Sequence, residues 1–465
     1  MVPPVRAKSS VPMAFLVFSP AGKPVLFSRD SIKEEETLYA GLAAAAQALV
    51  SFADSKFRGP LRVFRKSTGR QLHFLDCPPL SFLAITEASV PGAITRARLA
   101  LLHAQIAGLF TQPALCAIYE RQPAYDLRRL LVGSGERMLR ELIAGFGTRP
   151  CSFLGAVAVR AMGSDRRRGI TDRLRLAVSE SGSAFGVLFD SDGRLVSSIA
   201  SSTAGAALCA WDSILLGNLC KVLEQAETVL SVCLPFYDSR GNFYAYAMQH
   251  GGYTIILLSG AEILDVEVFR EAAMAVLCLC PEGGGGLDLD GLDDPVDGGG
   301  EDVLVIDGHP GIHFIFKNSR TNQYVMNGPC PPCAGGLGEV FGRYAGMRVA
   351  MFATDGIDVM MAEQILGSLD ASHASKRSRP RRPIRPSHGF RLECVGATTY
   401  VAFANVDAEF YVSMDASTVA RRRGQVSCTS VCDDHASAAE FAAALRARLV
   451  SQSQRLFFYV DQQSK

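Results

Sequence analysis

The sequence predicts an α+β fold in which one plan, an antiparallel sheet flanked by α-helices, is used three times. Residues 13–29 run Met-Ala-Phe-Leu-Val-Phe-Ser, Pro-Ala-Gly-Lys, Pro-Val-Leu-Phe-Ser-Arg, which reads as strand, tight turn, strand, and a helical pattern follows from Glu34 to about Asp54. The same materials return near residue 153 and again near 303. The chain has 465 residues, enough for about three domains of roughly 150 residues, each able to bury its own core.

The first segment is placed at 12–148. After the opening hairpin, Leu38, Leu42, Ala45, Leu49 and Phe52 recur at helical spacing and form one apolar stripe. Glu34, Glu35 and Glu36 open that helix, where carboxylates suit the positive end of its dipole. Leu61–Phe64, Gln71–Leu75 and Phe82–Thr86 read as strands, with Ser67-Thr68-Gly69 as a turn, and helices are expected at about 94–111 and 125–145.

The second segment is placed at 152–280. Phe153–Val159 reads as a strand and Ile170–Val178 as helical; Phe185–Phe189 and Leu195–Ile199 flank Asp190-Ser191-Asp192-Gly193, a hairpin signal. Ser213–Glu227 is expected to be a helix. Val232–Leu234, Asn242–Met248 and Tyr253–Ser259 form a meander turning at Asp238-Ser239-Arg240-Gly241, and Val266–Leu279 closes as a helix. Residues 281–302 hold eight glycines, six Asp and two Glu, a composition that cannot offset its own chain entropy by burial, so a flexible acidic linker is expected.

The third segment is placed at 303–465. His313–Phe316 and Gln323–Met326 read as a hairpin, about 338–369 as helical, and Phe390–Cys394, Thr399–Ala402 and Glu409–Ser413 as strands, before a helix at Ser437–Val450 with the serine as N-cap. Between them, residues 373–386 carry Lys376, Arg377, Arg379, Arg381, Arg382 and Arg385 among three prolines. Two readings of this run stand: a disordered basic insertion, or a contact for anionic lipid at about 1 kcal/mol per charge. Arg166–Arg168 and Arg421–Arg423 extend the second reading.

Bulk properties exclude several classes. Net charge is +1, so no global field draws the chain to nucleic acid. Thirteen cysteines are scattered without a disulfide framework, mostly in apolar stretches, which fits reduced, buried thiols and a cytoplasmic protein. No apolar run reaches the roughly 18 residues of a membrane span, so membrane contact is expected to be peripheral. Cys330-Pro-Pro-Cys333 has no second thiol pair, and His309 and His313 do not complete a four-ligand metal site. Gly283–Gly286 lacks the Lys-Ser/Thr of a P-loop, and no nucleophile elbow or His-Glu-x-x-His pair occurs. Asp190 and Asp192 read as turn residues, not as a paired acid and base. Sheet edges and helix faces with no pocket chemistry point to a protein that binds proteins.

Several stretches carry a family resemblance. Ala21-Gly22-Lys23-Pro24 leading to Phe27-Ser28-Arg29, with Leu49-Val50-Ser51-Phe52 on the helix, resembles the opening of the Mon/SAND family of vacuolar fusion proteins. Tyr119-Glu120-Arg121-Gln122 followed by Tyr125-Asp126-Leu127-Arg128-Arg129-Leu130-Leu131 resembles that family's most recognisable signature. Pro235-Phe236-Tyr237 with Gly241 and Tyr244-Ala245-Tyr246, and His313-Phe314-Ile315-Phe316-Lys317, resemble its second-domain hairpin and third-domain opening strand. The likeness spans most of 12–330 and is looser beyond.

The resemblance implies three longin domains, each a five-stranded antiparallel sheet between helices. It implies pairing with a Ccz-type trilongin subunit and guanine-nucleotide exchange on a Rab-seven-type GTPase at late endosomes and vacuoles, with peripheral recruitment to an anionic phosphoinositide membrane surface. It implies no cofactor, no metal and no covalent chemistry. The expected GTPase contacts are the hairpin end and the outward side of the first helix: Ser28, Arg29, Asp30, Glu35, Tyr39, Ala43 and Gln47; a plain solvated helix face is the other reading. Tyr125–Leu131 is read as structural through Leu127, Leu130 and Leu131. The sequence departs from the family in lacking its long N-terminal region, in the glycine-rich stretch at 281–302 and in the basic run at 373–386. A scaffold or tethering adaptor without exchange activity is the alternative function.

Overall fold

The first strand, β1 (Ala14–Phe18), is buried along nearly its whole length, and a strand apolar on both sides belongs in the middle of a sheet. The computed structural model describes residues 14–28, 35–57, 61–280, 312–326, 336–352, 388–415 and eight positions between 439 and 450, apart from 68, 89, 163, 203, 261–264, 396–397 and 406. In it β1 lies between β2 (Pro24–Phe27) and β5 (Leu80–Glu87), antiparallel to both, and β4 (Arg70–Cys77) and β3 (Val63–Arg65) complete the order β2-β1-β5-β4-β3. Gly22, at φ +71°, closes the β1–β2 turn, and a Cβ there would lie 3.5 Å from Ala44 Cα of helix α1 (Glu35–Phe57), so the turn rests on the helix.

The second sheet uses β7 (Phe185–Asp190), β8 (Leu195–Ala200), β9 (Glu227–Leu234), β10 (Asp238–His250) and β11 (Tyr253–Ser259) in the order β8-β7-β11-β10-β9. The third uses β12 (Ile312–Asn318), β13 (Gln323–Met326), β14 (His388–Val395), β15 (Thr398–Asn405) and β16 (Ala408–Asp415) in the order β14-β15-β16-β12-β13. Counted along each segment, every sheet reads second, first, fifth, fourth, third. The α+β class and its threefold use are as the sequence predicts.

Contacts divide the chain into two units. The described residues up to Phe153, with Val232–Asn242, form one; those in Leu154–Ser231, from Phe243 to Phe352 and beyond His388 form the other. In the first unit α1 lies on one face of the sheet, while α2 (Gly92–Phe110), α3 (Gln112–Arg121), α4 (Arg128–Leu131) and α5 (Ser134–Gly145) follow β5. In the second unit α7 (Ser164–Glu180) and α9 (Val266–Leu277) share a core with β7, β8, β10 and β11, while α8 (Ala210–Cys220) connects β8 to β9 and α10 (Gly336–Phe352) connects β13 toward β14.

The structure corrects several local expectations. The helix expected at 125–145 is broken into α4 and α5 at Gly133, whose φ of +90° no helix accommodates, and α3, capped by Thr111, was not foreseen. Phe153–Val159 is not one strand: α6 (Cys151–Leu154) precedes β6 (Val157–Ala158). The helix expected to Glu227 ends at Cys220, and Glu227 opens β9. The meander turns at residues 235–237, where Pro235 cannot donate to a ladder, and Asp238–Gly241 lies in β10.

β6 is an addition to the repeated plan. It pairs in parallel with β13, Val157 and Val159 donating to Asn322 O and Tyr324 O at 2.9 Å each, and Arg160 N–H then donates to Leu195 O of β8 at 3.0 Å. One short stretch thus ties the outer strand of the second sheet to the outer strand of the third. The acidic stretch 281–302 and the basic run 373–386 lie outside the described residues.

Candidate functional site

Helix α1 is apolar on two sides. Ala43, Ala46 and Ala53 are buried, the first two in a cluster with Leu16, Phe18, Phe74 and Leu83 of the sheet, while Leu42 and Val50 pack at its margin. These small side chains let the helix sit close to the strands. Part of the apolar stripe seen in the sequence faces outward: Ala45 is exposed, Leu49 is 37% exposed and Phe52 58%. Ala44 and Ala48 are exposed beside them. A helix that is hydrophobic all round belongs in an interior, so this outer face is a surface made to be covered.

The edge of the same sheet has the same character. All three residues of β3 are exposed, Val63 by 43% and Phe64 by 45%, with Arg62 and Lys66 exposed at its ends. Among the described residues β3 pairs only with β4. A strand edge with exposed apolar side chains is a template for another chain, and the flanking cations limit indiscriminate pairing.

The residues predicted to touch a GTPase do not share one outward face. Ser28 is half-buried, and its Oγ accepts from Phe15 N–H at 2.7 Å while its own N–H donates to Phe15 O at 3.0 Å, so its polar groups are spent on holding β1 to β2. Ala43 is fully buried under α1, which overturns its expected outward position. Gln47 is half-buried against the Gly22 turn, and its Oε1 is buried with no hydrogen-bond partner among the described residues. Glu35 and Tyr39 lie on the α1 backbone with side chains outside the described set; Arg29, Asp30 and all of Lys376, Arg377, Arg379, Arg381, Arg382 and Arg385 lie outside it altogether. Sequence reasoning missed Ala48, Val63 and Phe64, although the run Leu42–Val50 contains one polar residue in nine positions and so fills more than one helix face.

The signature stretch is mainly structural. Leu127 and Leu131 are buried, and Tyr119 is buried with its phenol pushed up to about 12 by desolvation, reinforced by Asp126 and Tyr125. Arg128 grips Asp126 through Nε at 2.9 Å and Nη2 at 3.0 Å. Leu130, expected in the core, is half-exposed, because α4 has a single turn and buries only one side.

Buried polar groups elsewhere are paired for structure. His103, held near 4 by burial, meets Gln112 Oε1 at 3.2 Å, and Gln112 Nε2 donates to Pro78 O at 2.6 Å. In the second unit, Glu409 accepts from Lys317 Nζ at 2.6 Å, Arg348 Nε at 2.7 Å and Tyr411 Oη at 2.7 Å, all under α10. Burial alone would raise the Glu409 carboxyl; Arg348 and Lys317 override it and hold it well below the carboxylate range. Burial pushes the Cys209 and Cys220 thiols upward, the opposite of an activated nucleophile. Among the described residues no group of three His, Cys, Asp or Glu is placed to hold a metal, and no single helix is long and apolar enough to cross a membrane.

Comparison with known proteins matches residues 13–142 to the family model described as the first longin domain of FUZ, MON1 and HPS1. The chain is 32% identical over 248 residues to vacuolar fusion protein MON1 homolog B of Homo sapiens, covering 52% of this chain and 44% of that one. It is 30% identical over 249 residues to MON1 homolog A of Gallus gallus, covering 52% and 43%. With vacuolar fusion protein MON1 of Yarrowia lipolytica it is 26% identical over 321 residues, covering 67% and 56%. The chain spans about half the length of the curated relatives it matches.

Proposed function

From the premise that the chain belongs to the Mon/SAND family of vacuolar fusion proteins, we propose that it is one subunit of a heterodimeric guanine-nucleotide exchange factor. Its partner is a Ccz-type trilongin subunit, and its target is a Rab-seven-type GTPase in late endosome and vacuole traffic. The observation that carries this reading is the exposed apolar surface of the first longin domain, formed by the outer face of α1 and by β3, which among the described residues pairs only with β4.

The mechanism requires binding alone. A GTPase holds its nucleotide through phosphate contacts, Mg²⁺ and ordered switch loops. A complex that binds the nucleotide-free form more tightly weakens nucleotide binding by the same coupling free energy. Each tenfold gain in release rate corresponds to about 1.4 kcal/mol off the barrier. In this reading β3 extends the sheet into the sister subunit, Leu49 and Phe52 are covered by it, and the joined first domains form the platform that displaces a switch loop. Recruitment to an anionic phosphoinositide surface through Lys376, Arg377, Arg379, Arg381, Arg382 and Arg385 belongs to the same proposal, as does a cytoplasmic protein held peripherally at the membrane.

A second reading, a tethering scaffold without exchange activity, is favoured by one observation: of the expected GTPase contacts, Ala43 is buried and the Ser28 hydroxyl is bonded to Phe15 N–H. Co-expression with a Ccz-type subunit, followed by release of a fluorescent guanine nucleotide from the GTPase, separates the two. The exchange reading expects co-elution and release accelerated by at least tenfold. Co-elution with an unchanged release rate leaves the scaffold; absence of co-elution removes both.

A further inference from the structure

The open side of β3 is chemically selective. Arg62 O accepts from Phe74 N–H at 2.9 Å, and Lys66 N–H donates to Arg70 O at 2.9 Å, so these two residues spend backbone groups on β4. In an antiparallel ladder, successive residues turn their N–H and C=O groups to opposite sides of the strand. Val63 and Arg65 therefore direct theirs away from β4, the only strand that pairs with β3 among the described residues. Phe64 stands opposite Leu72, which packs at the margin of the cluster under α1. Arg62, Phe64 and Lys66 alternate with their neighbours and so share the α1 side of the sheet. Val63 stands opposite His73 on the other side, and Arg65 shares that side: burial, and after it the Arg65 charge, hold His73 below its usual value.

The cations on this edge have no acid to meet. Arg62, Arg65 and Lys66 are exposed, and none of them forms an ion pair among the described residues. The residues opposite them on β4 are Phe74, Gln71 and Arg70, none acidic. A second copy of this chain does not supply the missing charge. Two β3 strands laid antiparallel about Phe64 set Arg62 of each against Lys66 of the other, and like charges directly opposite destabilise a strand pair. The complement is a strand with carboxylates opposite positions 62, 65 and 66 and apolar side chains opposite 63 and 64.

We propose that β3 accepts an added strand from another protein that reads acidic, apolar, apolar, acidic, acidic, in that sense or reversed. Its carboxylates meet Arg62, Arg65 and Lys66, and its apolar pair covers Val63 and Phe64. The proposal rests on the reading of β3 as the edge that meets the sister subunit, and it states the chemistry of the segment that subunit brings. Backbone hydrogen bonds to Val63 and Arg65 supply the pairing. Charge supplies the choice: it steers an acidic edge into place and turns a basic one away. A contact with exposed charges at its rim weakens with salt.

Carbodiimide coupling of the full chain in complex with a Ccz-type subunit tests this. The reagent joins the Lys66 amine to a carboxylate in contact with it, and mass spectrometry identifies the joined peptides. The expected product links Lys66 to an Asp or Glu within such a five-residue stretch of the other chain. In a binding titration, Arg62→Glu with Lys66→Glu is expected to weaken association about tenfold or more, while Arg62→Lys with Lys66→Arg leaves it unchanged. Raising salt to about 0.5 M is expected to narrow the difference between the two variants. Thermal midpoints separate loss of contact from loss of fold, and if the reversed variant does not fold, the crosslink on the unmodified chain decides. Association that survives the reversal, or a complex in which Lys66 joins a second copy of this chain or no carboxylate of that pattern, overturns the proposal and leaves the exchange reading standing. Absence of any complex with the unmodified chain removes both.

Discussion

Glu409 shows how much one side chain can hold in place. Three donors converge on its carboxylate inside the second unit, two of them cationic, so two buried positive charges share this carboxylate. Removing one partner from a buried ionic group costs about 3–5 kcal/mol, since the remaining charges stay desolvated. Glu409→Gln is therefore expected to destabilise the chain by about that amount, read as a lowered thermal midpoint. His103 and His313 give a pH dependence of definite sign. Burial lowers both to about 4 from a usual 6.5, so both are neutral in the fold. As pH falls below 6.5 the unfolded chain takes up protons that the folded one refuses, and stability is lost progressively down to about pH 4. Thermal midpoints measured across that window are expected to fall, and His103→Asn is expected to flatten the slope. None of these partners was legible beforehand: Lys317 and Glu409 are 92 positions apart in the chain, and periodicity says nothing about which buried charges meet.

At the scale of elements, α1 is the informative case. Its helical character was legible, but the face it buries was not, because alanine and leucine both count as apolar while only alanine admits a close approach to the sheet. Two substitutions separate the faces. Ala46→Leu forces bulk between helix and strands and is expected to cost about 1–3 kcal/mol. Phe52→Asp with Val63→Asp is expected to change stability by less than about 0.5 kcal/mol yet to weaken association with a Ccz-type subunit by at least tenfold, measured by titration. Unchanged association would remove α1 and β3 from the interface. Gly186 on β7 marks a second close approach: a Cβ there would lie 2.5 Å from Val178 Cγ2 of α7. Gly186→Ala is thus expected to destabilise the second unit by about 1–3 kcal/mol.

Across the molecule, the repeated sheet order is joined by a feature that the repeat does not contain. β6 and the residues after it link β13 of the third sheet to β8 of the second, covering two edges that would otherwise be open. Val159→Pro deletes the N–H that donates to Tyr324 O. The second and third sheets are then expected to lose cooperativity, so that one calorimetric transition of the second unit becomes two; a single unshifted transition would show that β6 contributes no coupling. Sequence alone makes 153–159 look like one strand, since Phe153-Leu154 and Val157-Ala158-Val159 look alike when only apolarity is counted.

By itself the sequence determined the class of fold, its threefold use, the opening hairpins, most strands of the three sheets and the resemblance to the Mon/SAND family. These are local properties: alternation, turn chemistry and short motifs act over a few residues and do not depend on distant partners. Tertiary structure alone decided which side of α1 faces the sheet, that Ala43 is turned inward and the Ser28 hydroxyl is bonded to β1, and that the side chains of β3 are exposed. Facing and exposure are set by the fit between side-chain size and the space left by strands far away in sequence, and a one-dimensional pattern does not contain that space.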